Sequence, residues 1–157
     1  MFHPFIFIAA LRFMRNFPQA PTRANIAKVL RDCGWHVIYY DSDGRDAYGI
    51  LEMLGCRRQA LLVDSFAYQS SFIKVIAVSS SLSISRMKIC LFHECGHVVL
   101  GHHFSSVSGL EEETADLFAQ YCAHWFRRYQ PFLQACLYIS AVVVPFLCGA
   151  ILLNAIP

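Results

Sequence analysis

The stretch that most limits what this chain can become is "MKICLFHECGHVVLGHH", residues 87–103. It is apolar enough for a core helix, yet it carries His93, Glu94 and His97 in its middle. On a helix, positions four apart share one face, one turn from each other. Burying imidazoles and a carboxylate without partners is costly, so any fold of this chain must bring partners to them. The H-E-x-x-H spacing is the one a zinc peptidase uses: two imidazole ligands on one face and a glutamate beside the first as general base. The expectation is a helix from residue 83 to about 102 that holds one Zn2+ ion, with His93 and His97 as ligands and Glu94 as the catalytic base.

A catalytic zinc site takes three protein ligands and leaves its fourth corner to water. Two sources of a third ligand present themselves. In "EEETADLFA", residues 111–119, Glu112 and Asp116 lie one turn apart. Glu112 then binds the metal, and Asp116 holds the distal nitrogen of a ligand histidine by a hydrogen bond. The other source is His103, at the spacing of the H-E-x-x-H-x-x-G-x-x-H proteins. That pattern needs a glycine at position 100 to turn the chain, and here Leu100 precedes Gly101. His102 and His103 otherwise read as imidazoles at a helix C-terminus, where positive charge is favoured, or as groups at a cleft edge.

Around this centre the elements are short. Residues 22–33 carry Ile26, Val29, Leu30 and Cys33 at helical spacing, with Thr22 to cap the start and Gly34 to end it. "WHVIYY" (35–40) reads as a strand, "DSDG" (41–44) as a turn, and residues 46–54 as a short helix. Two apolar runs, 60–66 and 72–79, suit a hairpin joined through "AYQSS". Ser108 and Glu111 form an S-x-x-E capping box for a second helix that runs to about Tyr129, with Pro131 interrupting it.

Residues 74–103 followed by 111–119 resemble the ImmA/IrrE metallo-endopeptidases, whose pattern is H-E-x-G-H and then E-x-x-A-[DN]-x-F-A. The matching residues are His93 to His97, then Glu112, Ala115, Asp116, Phe118 and Ala119. The resemblance implies His93, His97 and Glu112 as zinc ligands and Glu94 as base. It also implies an α+β, zincin-like domain in which a short antiparallel sheet packs on the HExxH helix, with a ligand helix following. Relatives cleave regulatory proteins, so the expected substrate is a protein or peptide, a transcriptional repressor among the candidates. The competing reading is a metal-binding sensor or adaptor that does not cut. Retention of Glu94 argues against it, because pure metal binding needs the histidines and not that base.

Composition adds the remaining expectations. The chain has 157 residues, 56% apolar and 15% charged, and no charged side chain occurs from Tyr129 to Pro157. A bilayer core of about 30 Å needs roughly 20 helical residues, and 132–156 is long enough. Arg127 and Arg128 precede it, so the expectation is a single-pass transmembrane helix with the catalytic domain cytoplasmic. The alternative is a core helix of a soluble cytoplasmic protein. The chain thus divides into an apolar N-terminal segment (1–20), a metallopeptidase domain (21–130) and a C-terminal helix (131–157). The N-terminal segment reads as a helix packed on the domain or lying at a membrane surface. A net charge of +2 without a basic stripe gives no ground for direct nucleic-acid binding. Seven cysteines, an odd number without a C-x-x-C pair, point to a reducing compartment and to small buried side chains.

Overall fold

Caps and apolar spacing place the elements of the computed structural model, which describes residues 3–40, 55, 64–102, 108–139 and 141. The chain divides into two compact units, Met1–Ala123 and His124–Pro157. In chain order the elements are α1 (Pro4–Met14), α2 (Arg23–Asp32), β1 (His36–Tyr40), β2 (Ser65–Gln69), β3 (Lys74–Ser79), α3 (Ile84–Leu100) and α4 (Gly109–His124). The Thr22 hydroxyl accepts the Asn25 N–H at 3.2 Å to open α2. Gly34, at φ 83°, closes it while the Trp35 N–H returns to the Leu30 carbonyl at 2.9 Å. Ser83 caps α3 by accepting the Arg86 N–H at 3.3 Å. The capping box of α4 forms as expected: the Ser108 N–H donates to Glu111 at 2.7 Å and the Glu111 N–H to Ser108 Oγ at 3.3 Å. Each such cap is worth about 1 kcal/mol.

The three described strands form a sheet in the order β1-β3-β2. β2 runs antiparallel to β3, but β1 runs parallel to it, so the sheet is mixed rather than the short antiparallel one expected. The reason lies in β3. Val75, Ile76, Ala77 and Val78 are all buried, with no alternation, and a strand apolar on both faces belongs in the middle of a sheet. β2 takes one side through a tight turn. β1 takes the other, and the long connection that follows it permits a parallel pairing.

The hairpin also lies later in the chain than expected. Ala67, Tyr68 and Gln69 belong to β2, and the turn falls at Ser70–Ile73. Ser70 makes it: its N–H donates to the Ile73 carbonyl at 2.8 Å, and its hydroxyl accepts from the Phe72 and Ile73 N–H groups at 3.3 and 3.2 Å. Phe66 is thereby turned inward onto Tyr40 and Ala77. The expected strand start at 60–63, the turn at 41–44 and the short helix at 46–54 lie outside the described residues, as does His103.

The helical layer closes around aromatic contacts. Phe13 of α1 sits edge-on to Phe92 of α3 and tilted against Phe118 of α4, with ring centroids 6.4 and 5.7 Å apart. Ile6, Ala10, Phe13 and Met14 are buried, so α1 packs into this unit. Burying each of the larger side chains contributes about 1.5–3 kcal/mol.

In the second unit a π-helical turn, Trp125–Tyr129, leads into α5 (Gln130–Tyr138). Pro131 does not break the helix. It stands in the first turn of α5, where its missing N–H is not required. The transmembrane expectation is corrected here: no helix among the described residues is long and apolar enough to cross a membrane. α5 has nine residues, a rise of about 14 Å against the roughly 30 Å of a hydrocarbon core. The single-pass transmembrane placement falls with that helix. Residues 140 and 142–157 lie outside the described part of the chain.

Candidate metal centre

Two small residues bring the histidines and the carboxylates together. At Gly96 in α3 an added Cβ would stand 3.0 Å from Ala115 Cα and 3.2 Å from the Ala115 carbonyl oxygen in α4. Glycine facing a fully buried alanine lets the two helices touch at the backbone. His93 and His97, on either side of Gly96, then face Glu112 and Asp116, on either side of Ala115.

The facing atoms converge. His93 Nε2 lies 3.2 Å from Glu112 Oε2, His97 Nε2 lies 3.7 Å from Glu112 Oε1, and the two Nε2 atoms are 3.0 Å apart. Ligands placed tetrahedrally about 2.1 Å from a zinc ion stand about 3.4 Å from one another, so these separations suit one such ion. Asp116 accepts a hydrogen bond from His93 Nδ1 at 2.8 Å, which leaves Nε2 as the free donor atom of that ring. His97 is buried, and burial pushes its pKa down to about 4, with the neighbouring His93 and His102 acting in the same direction. It is therefore the neutral imidazole that a cation requires. The donor set fits zinc: two imidazole nitrogens and a carboxylate, with Glu112 open to solvent.

Glu94 follows His93 on α3 and is 3% exposed. Burial pushes its carboxyl up to about 7; the Ser65 hydrogen bond and His93 pull it down, and Glu112 pushes it up. The Ser65 hydroxyl donates to Glu94 Oε1 at 2.6 Å. Ser65 is the first residue of β2, which pairs with β3 alone among the described strands, so an edge of the sheet begins beside this carboxylate.

All five residues expected at the site, His93, Glu94, His97, Glu112 and Asp116, fall in this region, and Ser65 of β2 reaches it through Glu94. Three further residues join them: His102, expected at the helix end or a cleft edge, and Ser65 and Thr114, which the sequence did not single out. His102 Nδ1 lies 2.9 Å from His97 Nδ1, and His102 Nε2 lies 3.3 Å from the Thr114 hydroxyl. Burial lowers the His102 pKa from its ordinary value, while Glu111 and Glu112 pull it up. Gly101 was the available signal for His102, because a glycine at a helix end reverses the chain. No comparable signal marks Ser65. Tyr121 of α4 is packed on α1: its ring meets Phe7 edge-on and its hydroxyl accepts the His3 N–H at 3.2 Å.

No known family model, curated protein or solved structure matches this chain.

Proposed function

We propose that the chain is a zinc-dependent endopeptidase of the ImmA/IrrE type that hydrolyses a peptide bond in a protein substrate. The observation that carries this reading is the meeting of His93 Nε2, His97 Nε2 and the Glu112 carboxylate beside a buried Glu94. His93, His97 and Glu112 hold the ion. Bound there, zinc supplies a Lewis acid for the scissile carbonyl and lowers the pKa of a water molecule.

The chain's own residues do the rest. Asp116 keeps the His93 ring turned towards the site. Glu94 takes a proton from the attacking water at its carboxylate and delivers it to the amine nitrogen of the departing strand. A carboxyl pushed up to about 7 by burial suits both halves of that task near neutral pH. The edge of β2 that no described strand covers, starting at Ser65, suits an extended substrate segment, which gains main-chain hydrogen bonds there. Regulatory proteins, transcriptional repressors among them, are the substrate class that the family resemblance suggests.

The test is Glu94→Gln. Metal analysis of the purified proteins should find about one zinc per chain in both. Comparing new protein N-termini in cells carrying each form should show cleavage products with the wild type alone. A wild-type chain without zinc, or identical N-termini in both cells, overturns the proposal.

A further inference from the structure

The end of α3 returns on itself at the metal centre. Gly101 is left-handed at φ 73°, and the His102 N–H donates to the His97 carbonyl at 3.0 Å. This reversal sets the His102 ring edge-on to the His97 ring, with centroids 5.0 Å apart and Nδ1 facing Nδ1 at 2.9 Å. Two ring nitrogens at that distance share one proton, so one donates and the other accepts.

Thr114 decides which. Its hydroxyl has a single hydrogen, and it donates that hydrogen to the Glu111 carbonyl at 3.0 Å. Towards His102 Nε2, at 3.3 Å, it therefore accepts. His102 Nε2 carries a hydrogen, and the Nδ1 of the neutral ring is bare. His97 Nδ1 must then donate to it, which leaves the lone pair of His97 Nε2 directed at His93 and Glu112. Donation thus runs one way, from His97 Nδ1 to His102, from His102 Nε2 to Thr114, and from Thr114 to the Glu111 carbonyl.

We propose that His102 and Thr114 are the positioning residues of His97, fixing Nε2 as its ligand atom just as Asp116 fixes His93. The two histidines are then held by different means: His93 by a carboxylate on α4, His97 by an imidazole from its own helix end anchored on α4 through Thr114. The inference rests on the metal-centre reading above, and its experiment separates the two.

Zinc affinity is measured by chelator competition for the wild type, His102→Ala, His102→Asn, Thr114→Val and Thr114→Ser, with metal-free thermal unfolding recorded for each. His102→Ala should weaken zinc binding by about 10–100-fold, the usual effect of losing such a partner. His102→Asn, whose Oδ1 takes the place of Nδ1 as acceptor, should restore most of it. Thr114→Val should weaken binding and Thr114→Ser should not. His102→Ala within twofold of wild type, or His102→Asn no better than His102→Ala, overturns the inference while the metal centre stands. A wild type that binds no zinc overturns the metal centre itself. Nitrogen NMR of the metal-free wild type gives a readout that needs no variant to fold: His97 should carry its hydrogen on Nδ1, and a hydrogen on Nε2 instead overturns the inference.

Discussion

Gly96→Ala tests how the site is assembled. The new Cβ would meet Ala115 Cα at 3.0 Å, where ordinary contact is 3.4–4 Å, so the helices must separate by about 0.4 Å or more at their crossing. The obstacle is backbone and cannot swing aside. Overpacking of this kind costs about 1–3 kcal/mol. Replacing a helical glycine with alanine returns about 1 kcal/mol. The net loss is about 0–2 kcal/mol, a fall in metal-free melting temperature of under about 10 °C. Metal binding should suffer more than folding. Metal–ligand distances hold within about 0.2 Å, and the shift moves Glu112 on α4 away from both histidines on α3 by at least twice that. Zinc affinity should drop at least tenfold, about 1.4 kcal/mol, by chelator competition. Gly109→Ala is the control, because a Cβ there meets nothing within 4 Å. It should leave zinc affinity unchanged. If Gly96→Ala binds zinc like the wild type and melts higher, the close crossing does not set the ligand geometry and the reasoning fails.

Three other outcomes are expected. Asp116→Ala removes the acceptor from His93 Nδ1 and should weaken zinc binding about 10–100-fold with little change in metal-free stability; equal affinity would show that the contact does not orient the ring. Ser108→Ala removes half of the α4 capping box and should lower stability by about 1 kcal/mol in urea unfolding, with no change in the slope against denaturant. Under native conditions an alkylating reagent should modify Cys33, which is exposed, and spare Cys90, Cys95 and Cys122, which are buried and whose thiols burial pushes up; peptide mapping that finds Cys95 or Cys122 modified first would contradict their placement.

Local chemistry was legible in the sequence because it depends on near neighbours. Thr22 and Gly34 bound α2, Ser108 and Glu111 cap α4, and the four-residue spacing of His93 and His97 puts both rings on one face without reference to the rest of the fold. Glu112 and Asp116 were legible as candidates, one turn apart and a source of the missing third ligand. Nothing local ties α4 to α3, so their meeting with the histidines was left to the family resemblance and the packed chain.

Tertiary structure decided what depends on distant segments. β1 lies parallel to β3 because a strand buried on both faces must be flanked on both sides, and the alternation of any one strand cannot show which neighbour it receives. The uncharged C-terminal run suggested a membrane span by composition, yet hydropathy fixes neither helix length nor the π turn that precedes α5. Ser65 reached Glu94, and His102 reached His97 and Thr114, for the same reason: a buried polar group declares in the sequence that it needs a partner, and only the packed chain names which one.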